Sequence, residues 1–180
     1  NLKYGKPLII SPISTKNHSD IVNNKLVQER ASLANQTEEM MDYIKANYEN
    51  QDLIVIKNES QRSQDQYDRI IADLQSLNPE KEVKVLEPKD GYINPDEFRV
   101  FRDTLERNIV NWFFITDNDP AYLGDVFNNL GVFPEADSLL VFGFEKDRNF
   151  NKIDNNFLAR VHFHYPINTF IDHDTPAYKN

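Results

Sequence analysis

The sequence predicts an α/β domain, and two features of its 180 residues support this prediction. Short apolar runs bounded by turn residues recur along the chain, and such runs are typical of strands that are buried on both faces of a sheet. Amphipathic segments with helical spacing lie between these runs. Strands that alternate with helices predict a parallel sheet covered by helices on both faces. The expected fold is therefore a three-layer, doubly wound parallel sheet of the flavodoxin-like kind.

Six segments are predicted to be strands, and two of them differ from the others. VKVL alternates apolar and polar residues, which predicts a half-exposed strand at an edge of the sheet. RVHFHY alternates in the same way near the end of the chain and is also predicted to be half-exposed. The predicted strands are residues 8–10, 53–56, 83–86, 112–115, 139–144 and 160–165.

Four helices are predicted between the apolar runs. The first two comprise residues 32–48 and 63–77, where apolar residues recur on one face. The third and fourth begin at Asn94 and Asp119, each of which is followed by proline. A capping side chain followed by proline is a common start of a helix. The fourth helix is predicted to end at Gly131.

Composition excludes several classes of protein. The chain has no cysteine, which excludes disulfides and thiolate chemistry. Its formal net charge of -9 argues against nucleic-acid binding, because that requires a basic surface. No apolar run approaches the ~20 residues that a membrane-spanning helix needs. Glycine-rich phosphate-binding motifs are also missing, so we expect no cofactor, no nucleic-acid partner and no membrane insertion.

Polar residues that follow the predicted strands are the candidate binding residues. In an open parallel sheet, ligands bind beyond the carboxyl ends of the strands. Hydroxyls, amides and helix N-terminal N–H groups at this edge could hold a small polar ligand. The alternative is that these residues are only helix caps and turn residues. The candidates are Ser11, Ser14, Thr15, Asn58, Glu59, Ser60, Asp117, Asn118 and Phe144.

Two histidines suggest a weaker possibility, a metal site. His162 and His164 are two residues apart on a predicted strand, so they would share a face, and imidazole groups bind transition metals. The alternative is a solvent-facing side of an edge strand, with Val161, Phe163 and Tyr165 packed inward. The ligand spacing matches no known metal motif, so we predict no metal site.

An acidic pair suggests magnesium chemistry as another alternative. Asp117 and Asp119 follow a predicted strand, and such a pair could hold Mg²⁺ in an enzyme of this fold class. Asp119, however, directly precedes Pro120, so helix capping accounts for it. The G-x-S-x-G motif of hydrolases is absent. The prediction is a protein that is not an enzyme, with a metal-dependent flavodoxin-like enzyme as an alternative.

Four segments of the sequence together resemble one family. They are PLIISPIST, NQTEEMMDYIKANYENQDLIVI, FFITDNDPAYLGDVFNNLGVFPEADSLLVFGF and HFHYPINTFIDHDTPAYKN. The family is the type 1 periplasmic binding proteins, which are Leu/Ile/Val-type amino-acid receptors of ABC transporters. The resemblance is to the second lobe of these two-lobed proteins, in the Bacteroidetes version that is often linked to LysM peptidoglycan-binding modules.

The resemblance implies a domain organisation and a location. Residues 1–180 would form a single α/β domain taken from a larger chain. Residues 1–20 would cross over from a first lobe, and residues 145–180 would return to it. The whole protein would lie in the periplasm or cell envelope.

The resemblance also implies a function, which is non-enzymatic binding of a small polar ligand such as an amino acid between two lobes. Ser14 and Thr15 would hold the ligand's carboxylate, and Asp117 and Asn118 would contact its ammonium group. The polar segment KNESQRSQ replaces a glycine-containing turn of the family. The alternative is therefore a peptidoglycan-associated scaffold or interaction domain that has lost ligand binding.

Overall fold

The computed structural model describes residues 32–88, 92–105, 109–132, 138–144, 149 and 152–166, together with the backbone of residues 9–11 and 26–28. The described strands are β1 (Ile9–Ser11), β2 (Leu26–Gln28), β3 (Asp52–Ile56), β4 (Lys84–Leu86), β5 (Asn111–Ile115), β6 (Leu139–Phe142) and β7 (Phe163–His164). The described helices are α1 (Leu33–Asn47), α2 (Gln61–Leu77), α3 (Pro95–Arg102), α4 (Pro120–Gly131) and α5 (Asn155–Arg160).

A five-stranded sheet with the order β4-β3-β5-β6-β7 forms the centre of the domain. Every neighbouring pair of strands in it is parallel, and helices cover it, so the predicted α/β fold class is confirmed. The strand VKVL lies at one edge as β4, as its alternating pattern predicted. From β3 the chain runs outward to β4 and then returns to β5 on the other side. The boundary between β3 and β5 is therefore the topological switch point of the sheet.

Two apolar clusters, one on each face of the sheet, form the core. Alternate residues of β3 divide between them, since Leu53 joins the cluster under α1 and α2, whereas Ile54 joins the cluster under α3 and α4. All residues of β3 and β5 are buried, as expected for strands between two helical layers. The most deeply buried aromatic side chains are Phe113, Phe114, Phe127 and Phe142.

Capping side chains begin all the helices of the described part of the chain. Each accepts a hydrogen bond from a backbone N–H of the first turn, which has no carbonyl partner within the helix. The predicted starts of the third and fourth helices are confirmed, whereas α2 begins two residues before the predicted position. The caps are Ser32, Ser60, Asn94, Asp119 and Asp154.

The first predicted strand does not join this sheet, although it was predicted together with the other strands of one sheet. β1 instead pairs in parallel with β2 in a separate two-stranded sheet, with Ile9 opposite Leu26. β2 was not predicted, because only two of its three residues, Leu26 and Val27, are apolar.

The predicted strand RVHFHY is also largely wrong. The short helix α5 ends at Arg160, and Val161 follows as its C-cap with a fully buried side chain. His162 has a positive φ of 47°, in the left-handed region that commonly ends helices. Only Phe163 and His164 are extended. His162 therefore lies outside the strand, and the alternation that placed it on one face with His164 does not apply.

Two glycines of α4 are expected to respond oppositely to the same substitution. A Cβ at Gly131 would overlap the Phe157 ring, whereas a Cβ at Gly124 would meet nothing within 4 Å. Gly131→Ala should lower the free energy of unfolding by about 1–3 kcal/mol through overpacking. Gly124→Ala should raise it by up to ~1 kcal/mol through helix propensity. Urea denaturation of both variants checks this, and equal effects would contradict the packing of α5 on α4.

No helix in the described ranges combines the length and apolar composition that crossing a membrane requires.

Candidate functional site

Polar side chains from two loops meet at the topological switch point. The loop after β3 supplies Asn58 and Ser60, and the loop after β5 supplies Asp117. The Asn58 amide Nδ2 donates to Asp117 Oδ2 at 3.0 Å, and the Ser60 hydroxyl donates to the same oxygen at 2.5 Å. These loops are adjacent because Ile56 and Ile115 are partners in the register of β3 and β5. Three of the predicted site residues are thus in direct contact.

The other oxygen of the Asp117 carboxylate is also occupied. Asp117 Oδ1 accepts the backbone N–H of Asn118 at 2.7 Å and that of Asp119 at 3.1 Å. A carboxylate offers about four lone-pair positions. The protein therefore fills all of them with its own donors, two on each oxygen. Arg62 adds an ionic contact, with its Nε 3.8 Å from Oδ1.

These contacts keep Asp117 ionised although its side chain is only 5% exposed. Desolvation on burial raises the pKa of this carboxyl group, but the hydrogen bonds from Ser60, Asn58 and the two backbone N–H groups outweigh it. The pKa of Asp117 is lowered overall. The site therefore holds a buried negative charge at neutral pH, which is a group that could attract a cation.

A chain of buried hydroxyl groups fixes the two loops to each other. The Asn58 N–H donates to Ser63 Oγ at 2.9 Å, and Ser63 Oγ lies 2.5 Å from Thr116 Oγ1. Thr116 gives its hydroxyl hydrogen to the Ile56 carbonyl at 2.9 Å, so Ser63 must be the donor to Thr116. Tyr122 donates to the same carbonyl at 2.7 Å, and burial raises the pKa of its phenol, which stays neutral. The position of Asn58 and Ser60 around Asp117 is thus set by a network within the core.

A narrow cleft lies beside Asp117 at this edge of the sheet. Its cavity volume is about 20 Å³, which is enough for about one ordered water. Pockets that enclose small molecules usually measure about 300–1,000 Å³. The described residues therefore form one wall of a binding site at most, and not an enclosed pocket. The lining includes Leu33, Arg62, Gln66, Asp117, Asn118 and Phe144.

No family model, curated protein or solved structure matches this chain. The resemblance to type 1 periplasmic binding proteins therefore stays a hypothesis that rests on the sequence motifs. The function is accordingly inferred from the geometry of the site.

The remaining predicted residues have different positions. Asn118 and Phe144 line the cleft with Asp117. Phe144 is also a core residue, because its ring stacks on Phe114 with the ring centres 6.3 Å apart. Glu59 lies in the same loop as Asn58 and Ser60, but its side chain is exposed.

The predicted residues at the start of the chain are not part of the described site. Ser11 is the last residue of β1, of which only the backbone is described. Ser14 and Thr15 lie outside the described residues. Their expected contact with a ligand's carboxylate stays a prediction.

Sequence reasoning missed several residues of the site: Arg62, Ser63, Gln66, Thr116 and Tyr122. Three of them lie in the first turns of α2, beyond the loop residues that the rule of carboxyl strand ends selected. Thr116 directly follows β5, so the rule of carboxyl strand ends could have found it. Tyr122 carried no such signal, since it lies on a helix.

The side chains considered for metal binding have structural roles. The His164 ring stacks between Phe142 and Tyr43, with ring centres 5.4 and 6.1 Å away. Its Nδ1 lies 2.7 Å from the His162 carbonyl oxygen. Asp119 caps α4 by accepting the N–H groups of two following residues, as predicted. Across the described ranges, no three His, Asp or Glu side chains are grouped closely enough to hold a metal ion.

Proposed function

We propose that this chain is a non-enzymatic ligand-binding domain that holds a small zwitterionic ligand, such as an amino acid, at its switch point. The observation that carries the proposal is the pairing of Asp117 and Arg62. An ionised, buried carboxylate and a guanidinium group lie 3.8 Å apart on the wall of one cleft. Together they offer one partner for an ammonium group and one for a carboxylate.

A zwitterionic ligand could replace the ionic contact between the two side chains by one contact to each of them. The Arg62 side chain is 44% exposed, so it has room to turn from Asp117 toward a ligand's carboxylate. Phe144 supplies an apolar surface beside the charged groups. The ligand would then lie along the sheet edge between these groups.

The small cavity indicates that the binding site needs a second wall. We therefore propose that the domain is one lobe of a two-lobed protein, and that closure of the lobes encloses the ligand. This arrangement is the one implied by the resemblance to type 1 periplasmic binding proteins. A location in the periplasm or cell envelope, and association with peptidoglycan through other domains, belong to the same proposal.

One observation favours a second candidate function. Asp117 has no lone-pair position left for a ligand, because Asn58, Ser60 and two backbone N–H groups occupy them. A carboxylate that is saturated in this way is expected in a domain that has lost ligand binding and serves as a scaffold or interaction domain in an envelope protein. The two candidates differ in whether any small ligand stabilises the fold.

A thermal-shift screen of the full-length protein with the twenty amino acids and with muropeptides separates the two functions. An amino acid at 100 times its Kd should stabilise the folded state by about 2.7 kcal/mol, which raises the melting temperature measurably. Asp117→Asn and Arg62→Gln should each abolish that rise when compared with the same variant without ligand. Arg69→Gln is the matched control, because Arg69 is exposed on α2 seven residues after Arg62.

The outcome for the control decides how the screen is interpreted. A rise that Arg62→Gln abolishes and Arg69→Gln retains supports binding at the switch point. A rise that both Asp117→Asn and Arg62→Gln retain would place the ligand elsewhere and contradict the proposed site. No rise with any compound, in a folded full-length sample, would favour the interaction domain.

A further inference from the structure

The cleft beside Asp117 has room for one small polar group. Its cavity volume is about 20 Å³, and a single water molecule needs at least about 10–15 Å³. Leu33 of α1, Gln66 of α2 and Phe144 after β6 are among the residues that line it. Gln66 and Phe144 are both buried, so neither can move outward without repacking of the core. The fold therefore limits the contents of the cleft to a group about the size of a water molecule.

The Gln66 side chain offers the cleft a hydrogen-bond acceptor. It is 5% exposed, and its Nε2 donates to Thr37 Oγ1 at 3.4 Å. Its Oε1 receives no hydrogen bond from the described part of the chain, yet this atom is not sealed from solvent. Because Gln66 lines the cleft, this unpartnered oxygen is open to it. Buried polar atoms normally have a partner, so a group that enters the cleft is expected to donate to this oxygen.

The Asp117 carboxylate supplies a negative charge to the same cleft. It is ionised, and its lone-pair positions are filled by Asn58, Ser60 and two backbone N–H groups. A cation in the cleft is attracted by this charge without displacing any of the four donors, since Coulomb attraction needs no free lone pair. The hydrogen bond that the cation donates goes to Gln66 Oε1 instead.

We infer that the cleft receives the ligand's ammonium group and that it accepts a primary ammonium group only. This inference rests on the proposed function. An ammonium group is about as large as a water molecule, and its bond to Cα must point out of the cleft toward the rest of the ligand. A methyl group on the nitrogen would then be directed at the walls, where no volume remains for a second heavy atom. N-methyl amino acids are therefore excluded by size, although they carry the same charge.

Pairs of ligands that differ by one N-methyl group test this inference. We would titrate the full-length protein by calorimetry with alanine, leucine and glutamate, and with the N-methyl derivative of each. Both members of a pair have a positively charged nitrogen that can donate to Gln66. The wild-type protein should bind each derivative at least ~10-fold more weakly than its parent, because one methylene group changes binding in a pocket of fixed size by roughly 10–200-fold.

Two substitutions of Gln66 separate its roles as a wall and as an acceptor. Gln66→Ala widens the cleft, so the preference for the parent amino acid should narrow by roughly 10-fold. Gln66→Met keeps a side chain of similar length but removes the amide oxygen. It should weaken the binding of parent and derivative alike by roughly 10-fold, because both lose a charged hydrogen bond, and it should keep the preference.

A second wall and a matched control complete the experiment. Leu33→Ala widens the cleft without removing an acceptor, so it should narrow the preference even where Gln66→Ala fails to fold. Gln64→Ala is the control, because Gln64 lies on the same helix and its Nε2 donates to Asp68 Oδ1 at an exposed position. This control should leave both the affinities and the preference unchanged.

Each outcome bears on the inference. A preference in the wild-type protein that Gln66→Ala or Leu33→Ala narrows, and that Gln66→Met retains, supports it. Equal binding within each pair by the wild-type protein, or a preference that neither wider variant narrows, would overturn the inference and leave the proposed function intact, since an amino acid would still bind. If none of the three parents binds, the inference is overturned as well, and the thermal-shift screen with all twenty amino acids decides the proposed function separately.

Discussion

Replacement of Asp52 by alanine is expected to lower the free energy of unfolding by about 3 kcal/mol, because two partly buried lysine charges lose the buried carboxylate that they share. Asp52 begins β3 and is fully buried. Its Oδ1 lies 3.4 Å from Lys81 Nζ, and its Oδ2 contacts Lys84 Nζ. Lys84 also donates to the Thr104 carbonyl at 2.9 Å. Asp52 and Lys84 together thus join three segments at the end of the sheet opposite the binding site.

Restoring the charge balance should restore stability. In Asp52→Leu with Lys84→Met, an apolar pair replaces the buried ion pair, and such replacements are often neutral or stabilising. Lys81 can then extend into solvent, since its side chain is already 23% exposed. Urea denaturation at neutral pH should show recovery of most of the loss caused by Asp52→Ala.

A surface ion pair provides the control for this measurement. Lys45 and Asp73 lie 3.0 Å apart, but their side chains are 42% and 46% exposed. Asp73→Ala should therefore cost no more than ~1 kcal/mol. If Asp52→Ala costs as little as Asp73→Ala, the lysines at Asp52 are hydrated and the buried ion pair does not stabilise the fold.

The central strands could be predicted from the sequence because both of their faces are buried. LIVI and WFFI are uninterrupted apolar runs, and each places alternate residues in the two clusters of the core. The helix starts at Asn94 and Asp119 were equally evident, because the cap and the proline act locally. Local chemistry and burial on two faces therefore account for most of the fold that was predicted.

The short elements could not be predicted, since their conformation depends on distant contacts. β2 contains only two apolar residues, and α5 has six residues, which is too few for a helical period to be recognised. Val161 was predicted to be a strand residue, yet it is the C-cap of α5 and is buried in the apolar cluster on the α3 and α4 face of the sheet. Its apolar character reflects packing, and not an alternating strand.

The candidate site was predicted in part for a topological reason. Asn58, Ser60 and Asp117 were selected because residues after parallel strands share one edge of the sheet. These residues come into contact because β3 and β5 are neighbours in the order of the strands. Strand order results from nonlocal packing and is not encoded in a local pattern. The saturation of Asp117 by the chain's own donors was therefore not foreseen.

Asp117→Asn is expected to lower the free energy of unfolding by about 3 kcal/mol at neutral pH, because hydrogen bonds to a charged group are worth about 1.5–3 kcal/mol and buried unsatisfied donors are costly. The amide that replaces the carboxylate has one acceptor oxygen and an NH₂ group. That NH₂ group must face donors, either the side chains at Oδ2 or the backbone N–H groups at Oδ1. Glu59→Gln removes an exposed carboxylate from the same loop, and it should change stability by less than ~0.5 kcal/mol.

The stability contributed by Asp117 should also depend on pH in a defined direction. Its pKa is lowered in the folded protein, so the folded state favours the ionised form more than the unfolded state does. The contribution is then fully present above the unfolded pKa of about 3.9 and is lost as the pH falls through the lower folded value. Urea denaturation between pH 7 and pH 2.5 should therefore show that wild type and Asp117→Asn differ by a constant amount above about pH 5 and converge below about pH 4. A difference that is the same at pH 3 as at pH 7 would mean that the cost of Asp117→Asn comes from packing, and that the carboxylate is not held ionised by its four donors.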